Sequence, residues 1–242
     1  MKVSVALAYY DGAEYIKEQL TSILTQLEEQ DEVIISVDRA LDGSMDMLRE
    51  WEQKDKRIFI TKGPAKGVVK NFEHAILMCS GDIIFLSDQD DVWMPDKVKR
   101  VKRAFQNKEV MAVLHDAKIV DENLKETDPS FFKLRGSGTG FFKNLWKNSY
   151  IGCCMAFRKE MGGAILPFPA NIYMHDYWIG ATAECLGRVE LIDVPLLKYR
   201  RHSGNVTDMQ HGALFFMLEK RWNMLISLLK WKRDYKRGKK ND

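Results

Sequence analysis

Three aspartates lie close together in the stretch FLSDQDDVWMP, which begins at Phe85. Asp88, Asp90 and Asp91 follow a short apolar run that is typical of a buried strand. Alternate residues of a strand share a face, so Asp88 and Asp90 can point in the same direction. Two converging carboxylates raise each other's pKa unless a cation lies between them. A Mg²⁺ or Mn²⁺ ion, bound by one or two carboxylates together with substrate phosphates, fits this arrangement.

Two other interpretations of these acids remain. The following residues, DVWMPDK, open a helix, and one aspartate could serve as its N-terminal cap, although three exceed what a cap needs. In phosphatases of the haloacid dehalogenase kind, an Asp-x-Asp pair follows the first strand and its first aspartate is a nucleophile. Here the pair follows the fourth predicted strand, which favours a metal–diphosphate site over an aspartyl-phosphate enzyme.

The hydrophobic pattern alternates between strands and helices over the first 105 residues or so. It predicts strands at 3–8, 32–37, 57–61 and 83–87, and helices at 13–27, 44–54, 68–79 and 96–106. This order is typical of an α/β fold with a parallel sheet covered by helices on both faces. The second half is less regular, with strands predicted at 110–115, 151–157 and 188–194 and helices at 141–146 and 176–186. Ligands of such sheets bind beyond the carboxyl ends of the strands, where we expect Tyr9, Tyr10, Asp38 and the three acids to converge.

A resemblance joins these segments. The series VSVALAYYDGAEYIKEQLTSIL, EVIISVDRALDGSMDML, GVVKNFEHAI, SGDIIFLSDQDDVW, GCCMAF, HDYW and YRRHSGN resembles the family-two glycosyltransferases of the GT-A fold, bacterial rhamnosyltransferase-like members in particular. The resemblance covers residues 2–207 and implies a Rossmann-like, mostly parallel sheet flanked by helices. It also implies a nucleotide-sugar donor, a divalent cation (Mn²⁺ or Mg²⁺) and an inverting transfer of the sugar.

The resemblance also assigns roles near the donor. Asp90 would bind the metal directly, Asp88 would contact the ribose or the metal shell, and Asp91 would hold the loop or support the metal. The end of the first strand, Ala8, Tyr9 and Tyr10, would lie against the nucleotide base. Asp38 would bind the pyrimidine or ribose, or would be a plain loop carboxylate. The sequence DRALDGS departs here from the family's commoner DDGS pattern, so Asp42 is the alternative for the nucleotide role, and Asp38 is favoured.

The resemblance assigns a functional role to each of four further residues, and each also has a simpler structural interpretation. Lys66 and Asn71 stand at a helix start that suits a diphosphate or its sugar, or they belong to an ordinary amphipathic helix. Asp176 of MHDYW matches the family's catalytic base, although His175 replaces the usual glutamate, and it could instead cap the helix. His202 of YRRHSGN would reach the metal or diphosphate, unless it is a structural histidine.

The basic residues concentrate at the C-terminal end. Residues 213–242 hold nine Lys/Arg and three Asp/Glu, a net charge of +6. Because the whole chain carries +3, the residues before them carry −3. An apolar stripe was expected along Leu214, Phe215, Leu218, Trp222, Leu225, Ile226 and Leu229, with Lys220, Asn223, Ser227 and Lys230 opposite. A basic amphipathic helix of this kind suits an anionic membrane surface, or it docks on the domain or on a second chain. Nucleic acid is not expected as a partner, because the acidic body offers no basic patch.

We therefore expect one catalytic domain over residues 1–207 and a basic amphipathic helix over 208–242. Within the domain, 1–105 would bind the nucleotide sugar and 106–207 the acceptor. No export signal or membrane span is visible, so a cytoplasmic protein is expected, with possible attachment to the inner face of the plasma membrane. The donor would be a dTDP- or UDP-sugar, first of all dTDP-L-rhamnose, and the acceptor a glycan or a lipid-linked glycan in bacterial surface polysaccharide synthesis. A UDP-hexose transferase, a non-catalytic sugar-binding protein and a membrane scaffold are the alternatives.

Overall fold

A computed structural model describes residues 1–202 and 214–238, with the side chains of the last helix described over 219–235. In this part of the chain the strands are β1 Val3–Tyr10, β2 Glu32–Arg39, β3 Ile58–Lys62, β4 Ile83–Ser87, β5 Val92–Trp93, β6 Val110–Val120, β7 Glu126–Asp128, β8 Met155–Arg158 and β9 Arg188–Arg200. The α-helices are α1 Ile16–Leu24, α2 Ser44–Lys54, α3 Val68–Met78, α4 Lys97–Ala104, α5 Phe131–Arg135, α6 Phe141–Trp146, α7 Gly162–Ile165, α8 His175–Leu186 and α9 Leu214–Gly238.

The strands form one sheet in the order β3-β2-β1-β4-β8-β6-β9-β5, with β7 paired to β6. From β3 to β4 all neighbours are parallel, as the alternation of strands and helices predicts. The second half of the sheet is mixed: β8 runs antiparallel to both β4 and β6, while β6 and β9 are parallel. The expected α/β architecture, a Rossmann-like sheet flanked by helices, is confirmed.

The central strand β1 explains why the first half is parallel. Val3, Val5 and Leu7 are fully buried on one face, and Ser4 and Ala6 are fully buried on the other. A strand that is buried on both faces reads as a continuous run of apolar and small residues, and helices must cover both sides of its sheet. α3 packs against β1 and β2, while α4 and α8 pack against β6 and β9.

The C-terminal helix α9 is docked on the rest of the domain through one face. It packs against α6 and α8, and Met224, Ser227 and Leu228 are the side chains it buries. Of the predicted apolar stripe, Trp222 and Leu229 are exposed and Leu225 and Ile226 are partly buried, whereas Ser227, predicted on the polar side, is buried. The docked-helix alternative is therefore correct for one face, and the opposite face carries the exposed apolar and basic residues. The side chains of Leu214, Phe215 and Leu218 lie outside the described residues.

Two sequence predictions concern residues outside the part of the chain that the structure describes. The domain boundary at 207/208 and the SGN of the last motif both lie outside them. Among the helices that the structure describes, none combines the length and the apolar content that crossing a bilayer requires. The two halves of the catalytic domain, 1–105 and 106–207, stay a prediction.

Candidate active site

A cavity of about 530 Å³ lies at the carboxyl ends of β1, β2 and β4. Its wall contains nine of the ten residues that the sequence assigned to the site: Ala8, Tyr9, Tyr10, Asp38, Asn71, Asp88, Asp90, Asp176 and His202. The exception is Lys66, which is exposed, and its neighbours Gly67 and Val68 line the cavity in its place. The strand-end rule therefore located this crevice correctly.

The loop after β4 carries Asp88, Asp90 and Asp91 and is called the acid loop. Hydrogen bonds hold it to the end of β9. Asp91 is fully buried, and its Oδ1 accepts a hydrogen bond from the backbone N–H of Arg200 at 3.0 Å. The guanidinium of Arg200 donates to the backbone oxygen of Asp90 at 2.8 Å. His202 Nε2 lies 2.8 Å from Asp90 Oδ2, so two residues beyond β9 the chain meets the same loop again. Asp91 thus holds the loop, which leaves Asp88 and Asp90 to face the cavity.

A buried lysine supplies positive charge beneath the acids. Lys97 is fully buried, donates to the backbone oxygen of Cys153 at 2.9 Å, and lies 4.1 Å from the ring centre of Trp93. Burial lowers the pKa of Lys97 to about 8, and the charges around it, Asp91 and Asp88 among them, oppose that shift. The lysine therefore offsets part of the repulsion among the aspartates.

Asp88 keeps partial exposure toward the cavity, although protein surrounds it densely. Burial, together with the charges of Asp90 and Asp176, raises the pKa of Asp88 to about 7, against the opposing effect of Lys97. A carboxyl group in this setting gains its negative charge readily only when a cation approaches it. The side chain of Asp88 is therefore suited to bind a cation that arrives with the substrate.

Asp176 lies in the first turn of α8. Its Oδ2 accepts from the backbone N–H of Gly152 at 3.1 Å, and its Oδ1 accepts from that of Tyr177 at 2.6 Å. Met174 is the residue at the cap position, so Asp176 supports the helix start without being its cap. Burial raises the pKa of Asp176 to about 6, against the opposing effect of these two hydrogen bonds. The result is a fixed carboxylate whose pKa suits a general base near neutral pH.

His175 enters the sequence analysis only as the residue that replaces the family's usual glutamate. In the structure it is a buried part of the cavity wall. Its ring stacks on Phe72 at 4.0 Å between centroids, and both ring nitrogens lack a hydrogen-bond partner among the described residues. Burial lowers the pKa of His175 to about 3, which keeps the ring neutral. A Cβ on Gly152 would come within 3.0 Å of His175 Nε2, so this glycine allows the close approach of the two segments.

Asp38 and Asp42 lie in different surroundings. Asp42 accepts from the backbone N–H groups of Ala13 and Ser44 at 2.8 and 3.1 Å, and is not part of the cavity wall. It therefore orders the turn before α2. Asp38 lines the cavity while its Oδ1 accepts from Ala65 N–H at 2.9 Å. The choice of Asp38 over Asp42 as the residue facing a nucleotide rests on this difference.

Gln89, the residue between the two cavity-facing acids, was missed by the sequence reading. Its side-chain oxygen accepts from the backbone N–H of Tyr10 at 2.6 Å, and its amide donates to the Tyr10 oxygen at 2.8 Å. A second connection joins α3 to the end of β1: the side-chain amide of Asn71 donates a hydrogen bond to the backbone oxygen of Tyr9 at 3.3 Å. The end of β1, the acid loop and the start of α3 are thereby held together around one cavity.

Two sets of side chains could hold a cation. Asp88, Asp91 and Cys153 have ligand atoms within 4.8 Å of one another, but burial raises the pKa of the Cys153 thiol well above its usual value, so it stays protonated. Asp88, Asp90 and His202 all line the cavity and offer two carboxylates and an imidazole. Oxygen-rich ligands suit Mg²⁺ and Mn²⁺ better than a thiol does. The second set fits a cation of this kind.

Comparisons with known proteins find glycosyltransferases among the similar sequences. An uncharacterized glycosyltransferase of Nostoc sp., alr2836, is 26% identical over 85% of this chain and 66% of its own length. The dTDP-rhamnosyl transferase RfbG of Shigella flexneri is 27% identical over 82% of this chain and 72% of its own. The chain thus spans about two thirds of the length of these relatives.

Among solved structures, the fold is similar to that of S. aureus TarS 1-349 in complex with UDP-GlcNAc. The TM-score is 0.74 at 16% identity, over 95% of this chain and 67% of TarS 1-349. A second similar fold is the mannosyltransferase PcManGT from Pyrobaculum calidifontis in complex with GDP-Man and Mn²⁺. Here the TM-score is 0.63 at 19% identity, over 80% of this chain and 54% of that one. The profile of Glycosyl transferase family 2 matches residues 4–163, and the chain belongs to this glycosyltransferase family.

Proposed function

We propose that the protein is an inverting, metal-dependent glycosyltransferase that moves a sugar from a nucleoside diphosphate sugar to a glycan or lipid-linked acceptor. One observation carries the proposal: Asp88, Asp90 and Asp176 line the same cavity. Asp88 and Asp90 suit the diphosphate end of a donor because they can hold the cation that binds it. Asp176, a fixed carboxylate with a pKa of about 6, suits the acceptor end. The strand-end position of the cavity matches the place where α/β sheets bind nucleotides.

The chain's own residues would divide the work as follows. Asp38 and the end of β1 bind the nucleoside, and Gln89 keeps the β1 end in register with the acid loop. Asp176 accepts the proton of the acceptor hydroxyl as that oxygen bonds to the anomeric carbon and the bond to the diphosphate breaks. A cation at Asp88, Asp90 and His202 would stabilise the charge of the departing diphosphate. Direct attack of this kind inverts the anomeric centre.

The donor we propose first is dTDP-L-rhamnose, and the support for it is the likeness to the Shigella rhamnosyltransferase. A UDP-hexose is the alternative, in view of the fold shared with TarS and its bound UDP-GlcNAc. A role in bacterial surface polysaccharide synthesis is in line with a further relative, the putative teichuronic acid biosynthesis glycosyltransferase TuaG of Bacillus subtilis, 26% identical over 79% of this chain.

We also propose that the enzyme works at the cytoplasmic face of the plasma membrane. α9 carries exposed Trp222 and Leu229 on a helix rich in lysine and arginine. Exposed aromatic and basic residues on one helix suit the headgroup region of an anionic bilayer. Co-sedimentation with vesicles of anionic phospholipid, compared with vesicles of neutral phospholipid, tests this part separately.

The decisive experiment is a thermal-shift screen of dTDP- and UDP-sugars with and without Mn²⁺, followed by measurement of nucleoside diphosphate release. A ligand that binds only the folded state raises the melting temperature by mass action. We expect one donor to stabilise the protein in the presence of Mn²⁺ and to be turned over. A protein that binds the donor but releases no nucleoside diphosphate would be a sugar-binding protein instead. Turnover at the wild-type rate in Asp176→Asn would exclude Asp176 as the base.

A further inference from the structure

Tyr10 presents a partly exposed ring at the wall of the cavity at the strand ends, here called the donor cavity. The residue is 53% exposed and belongs to the cavity wall. Gln89 holds its backbone through two hydrogen bonds, one to the N–H and one to the oxygen of Tyr10. The backbone is thereby fixed, but a half-exposed side chain keeps its rotational freedom unless a further group restrains it.

Arg39 is the group that restrains the ring. Its Nη1 donates a hydrogen bond to the Tyr10 hydroxyl at 2.7 Å, and its guanidinium carbon lies 4.9 Å from the ring centre. Arg39 also forms an ion pair with Asp11. An ion pair that is open to solvent adds little stability by itself. The planar guanidinium, however, contacts the phenol and the carboxylate at the same time, and this fixes the direction of the phenol.

The backbone brings these three side chains together. The register between β1 and β2 shifts by one residue after Tyr9. Asp38 is thereby an extra residue of β2, and Tyr10 pairs with Arg39. Such irregularities often redirect side chains next to a site. Asp11 follows with a φ of 43°, in the left-handed region that aspartate adopts more readily than most residues, and its N–H donates to the Arg39 oxygen at 3.0 Å. Asp38 therefore lines the cavity, whereas Arg39 and Asp11 lie outside its wall.

Arg39 belongs to the segment in which the sequence departs from the family's commoner pattern. DRALDGS stands where DDGS is usual, and DDGS holds no arginine. The contact between Arg39 and Tyr10 is therefore a property of this chain that the family resemblance does not supply. A ring whose direction is already fixed binds a flat partner without the loss of side-chain freedom that ordering it would cost.

We infer that Arg39, held by Asp11, positions the ring of Tyr10 to stack on the nucleobase of the donor. The inference rests on the proposed function, because it takes the donor cavity to bind a nucleotide. It adds a positioning residue that lies outside the cavity wall and acts on the base, not on the diphosphate. Stacking requires only the flat face that every base has, so the choice of base is left to polar groups such as Asp38.

Binding of UDP, dTDP and inorganic pyrophosphate, each measured by calorimetry with Mn²⁺, tests the inference. Pyrophosphate carries no base, so a residue that acts on the base affects only the two nucleotides. We expect Arg39→Ala to weaken nucleotide binding about three- to tenfold, the usual effect of one side chain that must be ordered on binding. Pyrophosphate affinity should stay within about twofold. Arg188→Ala removes another partly exposed arginine, paired with Glu190 at 3.5 Å, and is the matched control that should bind all three like the wild type.

Tyr10→Phe shows whether the arginine acts through the ring. This variant keeps the ring but removes the hydroxyl that Arg39 contacts, so it should weaken UDP binding by about the same factor as Arg39→Ala. The double variant Tyr10→Phe/Arg39→Ala should then lose no more affinity than either single variant, because both changes release the same ring. Additive losses would overturn the inference, since the two residues would then act independently.

The comparison of ligands decides the rest. Equal weakening of UDP and pyrophosphate binding by Arg39→Ala would overturn the inference, because the arginine would then act on the diphosphate or on the fold. Nucleotide binding that is unchanged in Arg39→Ala would overturn it as well, and would leave the proposed function standing. If neither UDP nor dTDP binds the wild type, the proposed function itself fails, and this result is distinct from any difference between the variants.

Discussion

His202 Nε2 lies 2.8 Å from Asp90 Oδ2, across 112 positions of the sequence. The contact joins the end of the β9 segment to the loop after β4, and the ring of Tyr15 stacks on the histidine at 4.7 Å. Both partners line the donor cavity. The imidazole is therefore held at the place where the proposed cation would bind.

The first prediction concerns this contact. His202→Ala should raise the Mn²⁺ concentration needed for half-maximal activity by about 10- to 100-fold, the usual cost of disturbing a metal site. The rate at saturating Mn²⁺ should change less, because Asp88 and Asp90 remain. His74→Ala, which removes a histidine bonded to Ser36 away from the cavity, is the control. An unchanged Mn²⁺ requirement in His202→Ala would exclude the histidine from the cation site.

Asp176→Asn should reduce the rate of sugar transfer without destabilising the folded protein. Transfer should fall about 10²- to 10⁴-fold, the usual contribution of a general base, while donor affinity stays within about twofold. Burial raises the pKa of Asp176 in the folded state above its ordinary value, so the folded state binds the proton more tightly than the unfolded one. Folding stability is then lost as the pH rises from about 4 through 6, at about 1.4 kcal/mol per pKa unit.

Removing the charge should consequently stabilise the protein at pH 8. We expect the melting temperature of Asp176→Asn to rise by several degrees, at about 2–4 °C per kcal/mol for a chain of this size. Asp46→Asn, at an exposed position of α2, should leave both activity and melting temperature nearly unchanged. A lower melting temperature for Asp176→Asn would show that its hydrogen bonds outweigh the cost of burying the charge.

The pH dependence of the reaction follows from the same carboxyl group. The proposed base acts as the carboxylate, and burial raises its pKa to about 6. We expect kcat/KM at saturating Mn²⁺ to fall about tenfold per pH unit below pH 6 and to level off above pH 7. The Mn²⁺ affinity should be measured at each pH, since metal binding also requires deprotonated ligands. A profile that stays flat down to pH 5 would remove Asp176 from the role of base.

The sequence predicts the strand ends correctly but not the side chains that connect them. Short apolar runs identify β1 to β4, and apolar residues at helical spacing identify the helices between them. β5, two residues long and paired with β9, shows neither pattern. Lys97 stands in KVKRVKR, where it looks like any solvated lysine, and only the packing of α4 buries it beneath the acids. Gln89 and His175 likewise gain their positions from contacts with distant segments.

Gly152→Ala should impair catalysis without unfolding the protein. The added Cβ would lie 3.0 Å from His175 Nε2 and 3.8 Å from Asp176 Cβ, so the start of α8 must shift to make room. A displacement of a few tenths of an ångström at the base should lower kcat about tenfold or more. Gly163→Ala, whose Cβ would meet nothing within 4 Å, is the matched control and should keep full activity. Equal activity of both variants would mean that the cavity wall yields without moving the base.

Lys97→Met should expose the repulsion that the lysine offsets. The substitution keeps the length of the side chain and its packing on Trp93 but removes the buried charge near Asp88 and Asp91. Without the lysine the repulsion among these carboxyl groups is no longer offset, so the melting temperature should fall. Because Mn²⁺ supplies positive charge to the same cluster, it should raise the melting temperature of Lys97→Met by more than that of the wild type. Lys99→Met, exposed on the same helix, should show the wild-type response. A smaller Mn²⁺ shift in Lys97→Met would mean that the lysine shapes the cation site instead of balancing its charge.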